Sequence, residues 1–137
     1  MSTVKTGITI PQDVLEEVEK YMKKMGIRSR SKIIAEALRL YLEERKTILV
    51  EKGIFVGSLF VVYNHERGDT IEKLIDIQHN FLENIQSVLH VHISHEKCLE
   101  IIVVHGEIEK IKQLISRVEN ILGVELVRFL LVEKRSP

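Results

Sequence analysis

The sequence predicts an α+β protein in two parts: a strand-helix-helix module over residues 1–50, then a ferredoxin-like βαββαβ domain over residues 51–137. Three observations carry that assignment. Two helical stripes of apolar residues follow a single alternating segment before residue 45. From Gly53 onward the pattern runs strand, helix, strand, strand, helix, strand. The charge balance also changes: residues 1–52 hold eleven Lys/Arg against eight Asp/Glu, and residues 53–137 hold nine against twelve, in a chain of zero net charge. A mildly basic front suggests a different partner there.

In "VKTGITI", Thr6, Ile8 and Ile10 share one face and Lys5, Gly7 and Thr9 the other, as a short strand requires. Pro11 suits a first helical turn, and Val14, Leu15, Val18, Tyr21, Met22 and Met25 recur at helical spacing until Gly26 supplies a stop. After "IRSRS", Ile34, Ala37, Leu38, Tyr41 and Leu42 form a second stripe, with Ser29 or Ser31 as N-cap. A lone strand leaves its backbone groups unpaired, and roughly 45 residues is marginal for a core. The module is therefore expected to be an intertwined dimer. "EERKTILVEKG" reads as a charged continuation of the second helix into a short linker.

The rear part predicts strands at "IFVGSLFVVY", "LHVHI", "CLEIIVV" and "VELVRFLLV", with helices from Asp69 to about Val88 and from Glu107 to Leu122. The later helix repeats Ile108, Ile111, Ile115, Val118 and Leu122 before Gly123 ends it. The earlier one carries Ile71, Leu74, Ile75, Leu82 and Ile85, with Ile77 and Phe81 off that stripe. Such surplus apolar surface suggests a subunit interface.

"LHVHISHEKCLEI" (residues 89–101) gathers three of the six histidines and the sole cysteine on a predicted hairpin. Leu89, Val91 and Ile93 share a face, as do Leu99 and Ile101, and opposed residues of an antiparallel pair lie on the same side of the sheet. If both apolar sets are to reach the core, His92 must pair with Cys98 and His90 with Glu100; a one-residue slip exposes a core face. Imidazole nitrogen and thiolate sulfur are ligands for late first-row divalent metals, and a square-planar N/S set favours Ni(II) or Cu(II). A lone H-x-H reads as exposed sheet histidines; three ligand side chains on one face point to metal. His79 is the best placed fourth ligand, Glu100 reads as a carboxylate orienting an imidazole, and His65, His95 and His105 read as structural.

Composition supports a soluble globular chain: 45% hydrophobic and 29% charged, with seven Gly and two Pro. One cysteine makes no intramolecular disulfide, the N-terminus lacks a leader pattern, and apolar runs such as Phe129 to Val132 fall far short of the ~18 residues that span a bilayer. A cytoplasmic location and no membrane partner are expected.

"VVYNHERGD", Gln78-His79, "LHVHI" and "CLEI", in that order and spacing, closely resemble the nickel-responsive transcriptional regulators of the NikR family. The resemblance covers essentially the whole chain. It implies a ribbon-helix-helix DNA-binding domain joined to an ACT-like metal-binding domain, and a homotetramer built as a dimer of dimers. It also implies one Ni(II) per subunit, held by His90, His92 and Cys98 of one subunit and His79 of another, with Gln78 and Glu100 supporting the ligands. In such modules paired N-terminal strands enter the major groove of double-stranded DNA, which assigns base reading to Lys5, Gly7 and Thr9 and phosphate binding to Arg28, Ser29 and Arg30. Two positions depart from the family: its second helix usually opens like "RSEAIRD", whereas Lys32 and Ala35 stand here, so its secondary interdomain cation site is not expected. Gly7 also removes one base-reading side chain.

The leading reading is a repressor whose operator affinity rises when Ni(II) binds the rear domain. Its rivals are an ACT-type regulator of an amino acid or other small ligand, a metal hydrolase, and a metal-independent antitoxin. No acid/base constellation supports the hydrolase, and the long rear domain weighs against the antitoxin.

Overall fold

The structure, a computed structural model, describes residues 2–135. It divides into two compact units that meet between Tyr41 and Leu42.

In the first unit, residues 2–10 form no regular element, and α1 spans Gln12–Met25. Pro11 begins it, its carbonyl accepting from the N–H of Leu15, and Gly26 ends it at φ 68°, a left-handed conformation that costs glycine little. Helix α2 spans Arg30–Glu44 and crosses into the second unit; the Ser29 Oγ accepts from the Lys32 N–H at 3.2 Å, which makes Ser29 the N-cap. The strand expected at residues 4–10 has no ladder in one chain, because a strand exists only beside a neighbour. Met22 is the only buried apolar side chain described in this unit, while Val14, Tyr21, Met25 and Leu38 stay exposed. A single copy lacks a core here.

The second unit opens with the short α3 (Lys46–Leu49) and continues with β1 (Ile54–Asn64), α4 (Thr70–Asn80), β2 (Ile85–His92), β3 (Lys97–Glu107), α5 (Ile108–Glu119) and β4 (Val124–Arg135). The strands form one antiparallel sheet in the order β2-β3-β1-β4, the ferredoxin-like arrangement. Alternation on β1 and β3 sends Phe55, Leu59, Val61, Tyr63, Cys98, Ile102 and Val104 into one core with Leu74, Ile77 and Phe81 and with Ile108, Ile111, Leu114 and Val118 of α5.

Three expectations are corrected. Helix α4 stops at Asn80, and Ile85–Val88 belong to β2, because Phe81 tucks into the core and Asn84 anchors the chain to β3: its backbone carbonyl accepts from the His105 N–H and its side-chain amide donates to the His105 carbonyl. Ile77 and Phe81 are core residues, each 6% exposed, while Ile71, Ile75 and Leu82 are the apolar residues left outside. The hairpin pairs as expected, His90 with Glu100 and His92 with Cys98, but its faces are reversed. Cys98 and Glu100 are buried on the core side, whereas Leu89, Val91 and Ile93 are exposed on the opposite face with Leu126 and Leu130 of β4. The reason is that β1, the central strand, points Leu59, Val61 and Tyr63 toward the helices, and its register with β3 carries Cys98 and Glu100 with them.

Gly57 is where β1 meets the bulky side of β4: a Cβ there would fall 2.3 Å from the Phe129 ring and 2.8 Å from the Leu130 carbonyl oxygen. Overpacking of this kind costs about 1–3 kcal/mol. Gly57→Ala should therefore lower the unfolding free energy by that amount, read from the shift of the urea midpoint at one fixed protein concentration.

Candidate metal centre

Register brings three of the four expected ligands together. Successive odd-even steps along β2 put His90 and His92 on one face, their ring centroids 4.8 Å apart, and β3 supplies Glu100 and Cys98 directly opposite. The His92 Nδ1 lies 3.5 Å from the Cys98 Sγ. One donor atom from each of His90, His92 and Cys98 falls within a 4.8 Å cluster, the two rings exposed and the sulfur buried. Two donors at about 2.0–2.3 Å from one late divalent ion lie at most ~4.5 Å apart. The cluster needs only a few tenths of an ångström of closure, and its N/N/S chemistry suits such an ion.

A polar network holds the set from behind. Glu100 is 8% exposed, and its Oε1 lies 3.4 Å from the His90 Nδ1 while its Oε2 accepts from the Gln78 amide at 2.7 Å. The Tyr63 hydroxyl donates to Glu100 Oε1 at 3.3 Å and lies 3.4 Å from the His90 Nδ1. A carboxylate beside one ring nitrogen fixes the imidazole's orientation and leaves the other nitrogen to bind elsewhere. Tyr63 was not singled out from the sequence. Its signal was the β1 alternation, but only the β1–β3 register shows that it opposes Cys98.

His79 lies exposed in the last turn of α4, next to Gln78, and is not part of the cluster within one chain. His65 contacts the His95 backbone carbonyl through its Nε2, and His105 lies on β3; none of these three joins the donor cluster. In the first unit Lys5, Gly7, Thr9, Arg28, Ser29 and Arg30 are all accessible apart from the flanking half-buried Ile27; Arg30 pairs with Glu19 at 3.5 Å, and Lys32 follows at the third helical position. No helix among the described residues is long and apolar enough to cross a membrane.

Burial, then the nearby Glu100 and Cys98 charges, push the Tyr63 phenol above its ordinary range. Below the unfolded tyrosine value of about 10 the stability linked to that shift is fully present, and it is lost as pH rises from there toward the folded value. In an ultraviolet titration of the folded protein, the phenol signal lost in Tyr63→Phe should appear only above the ordinary tyrosine range. A Tyr63 signal that rises within that range would contradict this.

Comparison with known proteins agrees with the two-part design. The family described as "NikR C terminal nickel binding domain" matches residues 56–132, and "Ribbon-helix-helix protein, copG family" matches residues 4–45. A nickel-responsive regulator, by its curated name, from Pyrococcus abyssi is 35% identical over 91% of this chain and 90% of its own. One so named from Methanocaldococcus jannaschii is 37% identical over 89% and 86%, and one from Chlorobaculum tepidum 35% over 87% and 87%. The ACT domain of a GTP pyrophosphokinase from Chlorobium tepidum overlays 56% of this chain and 99% of its own at a TM-score of 0.49 and 14% identity, too slight a likeness to argue from. With a nickel-binding domain matched over more than half its length behind a ribbon-helix-helix domain, the chain belongs to the family of nickel-responsive regulators.

Proposed function

We propose that this regulator is a repressor that binds Ni(II) through His90, His92 and Cys98 of one subunit and His79 of the partner subunit. One ion is held per subunit of a homotetramer. The observation that carries the reading is the three-donor cluster at the open edge of the sheet, which no fourth donor joins among the described residues, while α4 presents an exposed histidine, His79, outside it. Bound nickel would supply a Lewis-acidic centre that links the two chains. Glu100, steadied by Gln78 and Tyr63, orients His90, and Cys98 binds as thiolate, the form of the group that coordinates metal. Gln78 precedes His79 in α4, so the network that holds His90 also steadies the helix that faces the partner.

For the DNA-binding part, the reading assigns base contacts to Lys5 and Thr9, with Gly7 contributing backbone only, and phosphate contacts to Arg28, Ser29 and Arg30. Two copies are needed, because the ribbon has no partner in one chain and the apolar faces of α1 and α2 lack a cover. Nickel raises operator affinity only if it binds the DNA-competent arrangement more tightly than the alternatives. The protein works in the cytoplasm, catalyses nothing in this scheme, and needs no membrane.

The shared site is tested by mixing. His79→Ala protein and His90→Ala/His92→Ala protein should each bind little nickel, and subunit exchange between them should restore complete sites. Fully exchanged hetero-oligomers that bind no more nickel than the separate variants would overturn the model. On DNA, Lys5→Ala should lose about 1–3 kcal/mol of discrimination between operator and random duplex, whereas Arg30→Ala should weaken both alike. Equal losses on both duplexes for Lys5→Ala, measured by fluorescence anisotropy, would remove its base-reading role.

A further inference from the structure

A cavity of about 470 Å³ lies within the second unit, away from the histidine cluster, between the segment after α2, α5 and the helix-facing side of β4. Ile115, Val127 and Phe129 give it an apolar wall, and Arg45, Lys112 and Arg128 bring three cationic side chains to it beside the two carboxylates of Glu44 and Glu119. We propose that this cavity is a second ligand site, for a small aliphatic carboxylate, and that its occupant acts on the segment joining the two parts of the chain.

The chemistry follows from what each wall offers. A branched hydrocarbon body of four or five carbons suits the apolar wall and the size of the space. A carboxylate suits the rim, because cations outnumber anions there and arginine recognises carboxylates through paired N–H donors. Arg128 has five such donors; its Nε pairs with Glu44 at 3.5 Å and one terminal nitrogen donates to the Val127 carbonyl at 3.0 Å, which leaves donors for a ligand. Thr47, also on the wall, is 7% exposed, and its Oγ1 is buried without a hydrogen-bond partner among the described residues. A helical threonine has two accessible rotamers, so one turn about its Cα–Cβ bond offers that hydroxyl to a carboxylate.

The placement gives the site its consequence. Lys112 Nζ donates to the Val50 carbonyl at 2.6 Å, and the Arg128–Glu44 pair reaches the last residue of α2. The same cationic side chains thus hold the joining segment and line the cavity. An occupant that engages them changes how firmly that segment is held, without touching the nickel ligands.

The test uses the full-length, nickel-free protein and isothermal titration with 4-methylpentanoate, leucine and 3-methylbutylamine. The acid should bind and the amine should not. Leucine binding more tightly than the acid identifies an amino acid as the natural source, since Glu119 would then meet the ammonium; leucine binding more weakly identifies a plain carboxylic acid. Ser116→Phe, which fills the cavity from an exposed position on α5, and Thr47→Val should each weaken binding at least tenfold while leaving nickel stoichiometry unchanged. No heat with either carboxylate, equal binding of the amine, or full affinity in Ser116→Phe would overturn the proposal. Nickel binding is measured separately, so failure here leaves the metal reading standing, and the reverse.

Discussion

The antiparallel register between β2 and β3 is the constraint on which the rest depends. It sets His92 against Cys98 and His90 against Glu100. Because side chains alternate with a period of two, a shift of one residue would break both pairs, setting His90 opposite Ile101 and His92 opposite Leu99 in one direction, or His90 opposite Leu99 and His92 opposite Lys97 in the other. The register is held from two directions. On one side, β3 pairs along its whole length with the central strand β1, which commits Cys98 and Glu100 to the core face. On the other, Asn84 fixes where β2 begins through two hydrogen bonds to the backbone of His105.

That constraint also explains how a buried carboxylate persists in an otherwise apolar core. Unpaired, Glu100 would be strongly disfavoured there. It is surrounded instead by three partners drawn from three elements: Tyr63 from β1, Gln78 from α4 and His90 from β2. The network ties the helix layer to the edge strand at one point. Burial raises the phenol of Tyr63, and the network adds to that, since a neutral hydroxyl is a better neighbour for a carboxylate than a phenolate.

Much of this was legible in the sequence, and the losses have physical causes. The strands and helices followed from periodicity, and the His90–Glu100 and His92–Cys98 pairings followed from matching apolar faces. The choice of which face meets the helices did not follow, because Leu89, Val91 and Ile93 look like core residues when a hairpin is read alone. Sheet order decides that, through β1, and sheet order is a long-range property. Helix α4 ends earlier than the sequence predicts for a related reason: Leu82 and Ile85 continue a helical stripe, while the burial of Phe81 and the anchoring of Asn84 are tertiary. The N-terminal strand was read from alternation, yet a single chain gives it nothing to pair with.

Two of the three clustered donors, His90 and His92, sit on β2, an edge strand that pairs only with β3 and whose residues after Ile85 are all exposed. Edge elements with few buried contacts open at a lower free energy than the body of a domain. An ion bridging His90 and His92 to the buried Cys98 would pin the least secure strand to a well-packed one, so part of its binding energy would go into ordering. The measured affinity of such a centre would then report two quantities at once, the strength of the metal bonds and the fraction of time the strand is closed. Backbone amide exchange along β2 would separate them, because it follows the second without reference to the first.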